Sequence, residues 1–336
     1  MAWGFDGPVL VAPMAGGPST PGLVTAAAAA GTAGFLAAGY KTPDAVASEV
    51  AQVRATGLPY GLNIFVPSPR PADVAPLEDY RRSLLPEAQR YGVELPPLRL
   101  DDDDHFAAKV SIAAGAAVPL VSFTFGVPDA AVVATLRQAG CRVLVTVTNA
   151  AEARLALVAG PDALIAQAGS AGGHSATTTP GGYDGSSTTP QVTREVVAAV
   201  PLPVIAAGGT GTAAHVRAGL AAGAVAVQVG TAFLLADEAG TRAVQREAMR
   251  SGRFTETVVT RAFTGQPARA LANRFTAEHA AAPIGYPAVH HLTAPIRAAA
   301  ARIGDPEAIN LWAGTAHASA RPGPAAEIIR RLSALR

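Results

Sequence analysis

Eight short apolar runs, most of them followed by a segment with helix punctuation, constrain this chain more than any other feature. They are "PVLVA" (8–12), "GFLAA" (34–38), "YGLNIF" (60–65), "LVSFTF" (120–125), "RVLVTV" (142–147), "ALIAQ" (163–167), "PVIAA" (203–207) and "AVQVG" (226–230). Successive residues are apolar, without alternation, as in parallel strands covered on both faces. Between the runs lie helix signals. "TPGLVTAAAAAG" and "TPDAVASEVAQVRATG" each open on a Thr cap and Pro and end on Gly, and "VPDAAVVATLRQAG" and "TNAAEARLALVAG" end on Gly as well. Eight strands alternating with helices predict an α/β fold, a (β/α)8 TIM barrel. A doubly wound sheet is second, weakened because no G-x-G-x-x-G follows the first strand.

Two regions break the alternation. Residues 66–100 are rich in Pro and Arg, and residues 237–290 read as helical and then loop-rich. Both are expected in a smaller cap near the barrel's C-terminal face. The chain divides into a barrel over 1–236, completed by a helical segment over 291–336, and a small, mostly helical or loop cap over 237–290.

Composition narrows the function classes. The chain has 336 residues, is 49% hydrophobic and carries a formal charge of +1. That balance gives no electrostatic footprint for nucleic acid or a membrane surface. The one acidic block, "DDDD" (101–104), reads as a solvated helix start, since acidic residues suit a helix N-terminus. The single cysteine, Cys141, opens an apolar run and is expected to be a buried thiol. The N-terminal stretch "MAWGFDGPVLVAP" lacks the basic region and long apolar core of a signal peptide. No run is long enough for a membrane span. The expectation is a cytoplasmic protein, monomer or homodimer, acting on a small molecule.

In a parallel barrel, ligands bind at the carboxyl ends of the strands. Strand one delivers Ala12, Pro13 and Met14 to that mouth. Strand three carries Asn63, and strand four Ser122 and Thr124. Strand six ends at Gln167 and runs into "AGSAGGH", where Gly172 and Gly173 allow close backbone approach and His174 can exchange a proton. Strand seven is followed by Gly208 and Gly209, strand eight by Gly230 and Thr231 after Gln228 and Val229. Each of these two turns is expected to open a helix, and together they suit a phosphate. Metal is not expected: no H-x-x-E-H or H-x-x-x-H spacing occurs. No G-x-S-x-G elbow anchors a hydrolase triad.

The ordered set "APMAGGPSTPGLVTAAAAAGTAGFLAAG", "YGLNIF", "VSFTFG", "DALIAQAGSAGGH", "PVIAAGGTGTAAHVRAGLAAGAVAVQVGTAFL" and "LWAGT" resembles the nitronate monooxygenase family, formerly called 2-nitropropane dioxygenases. The resemblance runs from about Pro8 to Gly314. It implies an FMN-binding TIM barrel, a flavoprotein oxidoreductase. The implied reaction oxidises alkyl nitronates with O2 to carbonyl compounds and nitrite. It also implies that Asn63, Gln167 and Gly172 hold the flavin and that Gly209 and Gln228 to Thr231 hold its phosphate. His174 would stand near the reactive edge and deprotonate a neutral nitroalkane or orient the anion. The chain has Ala168 and Ser170 where the family usually has Gly and an acidic residue, and a long "ATTTPGGYDGSSTT" follows Ser175. Ser122, Ser170 and Tyr183 are candidates to touch substrate. Two alternatives share the fold: an NAD(P)H-dependent FMN reductase acting on a quinone or enoyl thioester, and a non-catalytic flavin-binding module.

Overall fold

A computed structural model describes residues 7–335; the first six residues of the N-terminal stretch, and residue 336, lie outside the described residues. The eight apolar runs form β1 (Val9–Val11), β2 (Gly34–Ala37), β3 (Tyr60–Phe65), β4 (Leu120–Thr124), β5 (Arg142–Val147), β6 (Ala163–Gln167), β8 (Val204–Ala207) and β9 (Ala226–Val229). All eight are parallel and close into a barrel, sealed where Leu10 of β1 lies opposite Gln228 of β9. Three more strands stand outside it: β7 (Gly173–His174), β10 (Thr257–Thr260) and β11 (Ala268–Leu271). They form an antiparallel sheet in the order β10–β11–β7.

The unbroken apolar pattern has the expected cause. Leu10, Phe35, Leu120, Leu144, Ile165 and Ile205 meet in one buried cluster that fills the barrel. Their neighbours Val9 and Val11 pack outward against helix residues such as Leu23, Ala27 and Val216. Burying each such side chain stabilises the fold by roughly 1.5–3 kcal/mol. Gly61 on β3 is dictated by this packing, because a Cβ there would overlap the Phe35 ring. The helix signals are realised as caps. Thr20 Oγ1 accepts from Leu23 N at 3.0 Å, and Asn149 Oδ1 accepts from Glu152 N at 2.9 Å. Cys141 is buried. No helix among the described residues is long and apolar enough to cross a membrane.

Two local expectations fail. "DDDD" is not a solvated helix start. The helix begins later, at Phe106, and only Asp101 and Asp103 face water. Asp104 turns inward to an ion pair with the fully buried Lys109 (2.7 Å), and Asp102 meets His291 Nε2 at 2.6 Å. A buried ammonium needs a counter-charge, and that need decides where the run points. The second failure follows β9, where the expected helix is a single 3-10 turn, Thr231–Phe233. The chain turns aside there so that Ala236 can bridge to Gly323.

The excursions outside the barrel share a core. Leu77, Tyr80 and Tyr91 from the first excursion pack in one buried cluster with Phe263 and Phe275 from the second, and with Leu292, Ile296 and Leu311 from the return segment. The terminal helix Ala325–Leu332 packs instead against the barrel through Ile328, Ile329 and Leu332. We propose that the cap is this pooled unit, including the three-stranded sheet.

Candidate active site

One cavity opens at the carboxyl ends of the barrel strands, and the sequence-predicted residues converge on it. Ala12, Pro13, Met14, Asn63, Gln167, Gly172, Gly173, His174, Gly208, Gly209, Gln228, Val229, Gly230 and Thr231 all line it.

Each polar side chain is set by its strand. Asn63 Nδ2 donates to Ser122 O (3.2 Å), Ser122 Oγ (2.9 Å) and Thr124 Oγ1 (3.0 Å), and its side-chain Oδ1 accepts from no protein group among the described residues. Gln167 is used at both ends: Nε2 donates to His174 O at 3.0 Å, and Oε1 accepts from Ala176 N at 2.7 Å. It lines the cavity while clamping the histidine loop. Gln228 is the opposite case. Its Nε2 is buried without a hydrogen-bond partner among the described residues. Leaving such a donor unpaired costs roughly 1–3 kcal/mol, and a ligand acceptor would remove that cost.

The glycine turns present backbone donors. Gly208 and Gly209 have φ of 115° and 53°, in the region where glycine is favoured. Among the described residues, the N–H groups of Gly209, Thr210, Gly230 and Thr231 find no protein acceptor. The helix Ala213–Ala221 follows the first of these turns, capped by Thr212. A Cβ on Gly172 would strike the backbone of Ala313 and Gly314, so two chain segments meet there with no side chain between them. Thr231 Oγ1 accepts from Gly314 N at 2.9 Å and ties the second turn to "LWAGT".

His174 closes the cavity's cap side. It lies on β7, opposite Ala268 of β11, and its Nε2 is 3.0 Å from Thr264 Oγ1. Phe125, Tyr286 and Trp312 surround the ring at centroid distances of 5.4, 6.0 and 5.2 Å. Burial, with the charge of Arg297 added, pushes the imidazole down to about 3, so the ring is neutral at physiological pH. Two guanidiniums give the surroundings their sign. Arg242 lines the cavity and donates to Asn310 O and Oδ1, at 3.3 and 3.1 Å. Arg297 donates to Thr293 Oγ1 (3.1 Å) and His290 O (2.7 Å), and burial pushes it down to about 10. Neither is within ion-pair distance of a carboxylate among the described residues, and no Asp or Glu lines the cavity. The site suits an anion.

Three expected substrate contacts are placed elsewhere. Ser122 is fully buried beneath Asn63 and acts on that side chain. Ser170 Oγ lies behind Gly209, 3.3 Å from Thr189 Oγ1. Tyr183 sits beside Gly185, where Ser175 and Arg269 are its neighbours. None of the three lines the cavity. Sequence reading missed Tyr40, Phe65, Arg242, Gln245, Asn310 and Trp312, which do line it. Trp312 stood inside a quoted motif without a role. Phe65 ends β3 and Tyr40 closely follows β2, yet neither was given a role, while Arg242, Gln245 and Asn310 lie in segments after the last barrel strand that carry no strand-end signal.

The chain is similar to known proteins over nearly its whole length. Residues 3–334 match the family described as nitronate monooxygenase. The chain is 37% identical to a nitronate monooxygenase of Paraburkholderia phytofirmans, over 98% of this chain and 92% of that protein. It is 33% identical to a probable nitronate monooxygenase of Staphylococcus aureus, over 97% and 93%. Among solved structures, it superposes on a nitroalkane oxidase from Streptomyces ansochromogenes with a TM-score of 0.93 and 45% identity, covering 98% of this chain and 96% of that one.

Proposed function

Because this chain belongs to the nitronate monooxygenase family, a family of flavin-dependent oxidoreductases, we propose that it binds FMN and oxidises alkyl nitronates with O2 to carbonyl compounds and nitrite. The observation that carries the reading is the charge pattern of the cavity. It gathers unpaired backbone donors, the unpaired Gln228 Nε2 and the Arg242 guanidinium, and no carboxylate lines it among the described residues. That pattern fits a phosphate at one end and an anionic substrate at the other.

The residues fit the flavin group as well. The turns at Gly208–Gly209 and Gly230–Thr231 would hold its phosphate, Gln228 would donate to it, and Asn63 Oδ1 would accept from it. Bound FMN would supply one-electron chemistry, taking an electron from the nitronate and passing one on to O2. The chain's own residues do the rest. Arg242 favours an anion in the cavity by charge, and the rings of Tyr40, Phe65 and Trp312 exclude water. His174, held neutral, takes the proton when the substrate arrives as the neutral nitroalkane.

An absorbance spectrum of the purified protein, then anaerobic addition of propionate 3-nitronate and, separately, NADH, tests this reading. Flavin bands bleached by the nitronate and not by NADH are expected. Absence of flavin bands after FMN is added would overturn it, and bleaching by NADH alone would make the protein a reductase. For His174→Ala we expect retained flavin, a loss of about 10²-fold or more on neutral nitroalkanes, and a smaller loss on nitronates. Equal activity on both would make the ring a bystander.

A further inference from the structure

His174 reaches the cavity with one ring nitrogen already engaged. Thr264 Oγ1, 3.0 Å from His174 Nε2, also lies 3.3 Å from Gln266 O and 3.4 Å from Gln266 N. A hydroxyl has one proton to give. Given to His174, it would leave the Gln266 carbonyl without its partner in a residue only 7% exposed. Given to Gln266 O, the same oxygen accepts from His174 Nε2–H and from Gln266 N–H, and every group is paired.

We infer that Thr264 fixes His174 as the Nε2–H tautomer and so leaves the Nδ1 lone pair as the proton acceptor of the cavity. Among the described residues, no protein group hydrogen-bonds Nδ1, and this atom is not among the buried unpaired ones, although the ring lines the cavity. The ring is held in this orientation from several sides. Trp312 and Phe125 flank it, and the Gln167 clamp fixes its backbone carbonyl. Thr264 itself is 1% exposed and absent from the cavity wall, so it is a positioning residue that acts through His174.

The inference rests on the reading of His174 as the base and adds what makes it one. The C–H bond of a neutral nitroalkane breaks, its electron pair stays with the nitro group as the nitronate, and the proton passes to Nδ1. The imidazolium keeps its Nε2–H on Thr264, whose own hydroxyl points at the Gln266 carbonyl. That chain turns a carbonyl dipole toward the new charge. A preformed nitronate skips the step, so Thr264 should matter for neutral substrates only.

The test reads the tautomer directly. Long-range 15N–1H correlation spectra of the flavin-loaded protein, with His174→Gln identifying the signals, should show a neutral Nε2–H imidazole. Thr264→Val should shift or mix that pattern, and Thr264→Ser should keep it. In turnover, Thr264→Val should lose about tenfold or more on a neutral nitroalkane and change within about twofold on its nitronate, with Thr264→Ser restoring the former. A wild-type Nδ1–H imidazole, or an unaltered tautomer in Thr264→Val, would overturn the inference. Should Thr264→Val not fold, the wild-type and Thr264→Ser spectra still decide it. Wild-type protein that turns over neither substrate would defeat the proposed reaction and leave the tautomer result standing.

Discussion

Gly209 and Gln228 show how single residues commit the cavity to a ligand. Gly209 combines a positive φ with a Cβ position 2.7 Å from Ser170 Oγ and 2.8 Å from Ser170 Cβ. A side chain there is strained, and an acidic one also repels an anion. Gly209→Asp is expected to abolish flavin binding, read by the flavin-to-protein absorbance ratio after gel filtration; retained flavin would move the phosphate elsewhere. Gln228 makes the opposite kind of prediction. Its unpaired Nε2 is a burden until something accepts from it. Gln228→Leu should leave the flavin-free protein as stable or up to about 1–3 kcal/mol more stable, while weakening FMN by about tenfold. Thermal melts and fluorescence titration check the two halves separately. At this scale the sequence was informative about which strand-end residues line the cavity. The glycine turns, Asn63 and Gln167 could be read because parallel strands deliver their last residues to one mouth. Arg242 and Asn310 could not, since they come from segments far apart in sequence that meet only through the cap.

The element that matters most is the segment after β6, because His174 depends on it. Glu152, on the helix Ala150–Val158, is 5% exposed and accepts from Thr148, from Thr177 Oγ1 (3.2 Å) and from Thr178 N (2.8 Å) and Oγ1 (3.1 Å). Gln266 Nε2 donates to Ser175 O and Thr177 O. Arg269 of β11 reaches Gly169 O at 2.7 Å and Gly185 O at 2.8 Å. Glu152→Ala should destabilise the fold by about 3 kcal/mol or more, since several buried donors lose their acceptor together. Urea unfolding measures this, and a loss below about 1 kcal/mol would mean that the loop repacks at little cost. None of these anchors was visible beforehand. A strand of two residues has no periodicity to read, and a buried glutamate on a helix looks like any surface charge until its partners are known. "DDDD" taught the same lesson through Lys109 and His291.

The barrel was legible as a whole because its signal repeats. Eight runs, each placed within a residue of its strand, over-determine the topology even where one helix signal misleads, as after β9. The cap was harder, since its core pools short pieces of three separate segments. The whole molecule also carries a pH signature. Burial holds His174, His279 and His290 below the ordinary histidine range. The unfolded chain protonates these rings below about pH 6.5, and the folded chain does not. Their contribution to stability is therefore complete above that pH and is lost as pH falls toward 3. Each such ring adds a slope of up to about 1.4 kcal/mol per pH unit inside the window. Melting temperatures from pH 7 to pH 4 should fall more steeply for wild type than for His290→Gln; parallel curves would count against it. The anchors around His174 carry a last consequence. Because Glu152 fixes Thr177–Thr178, Arg269 fixes Gly185, and Thr189 Oγ1 donates to Gly208 O at 2.5 Å, the exposed turn at Pro180–Gly182 hangs between pinned ends. It is the natural grafting point of this scaffold, where a tag or a longer insertion can be accepted while the histidine stays in register.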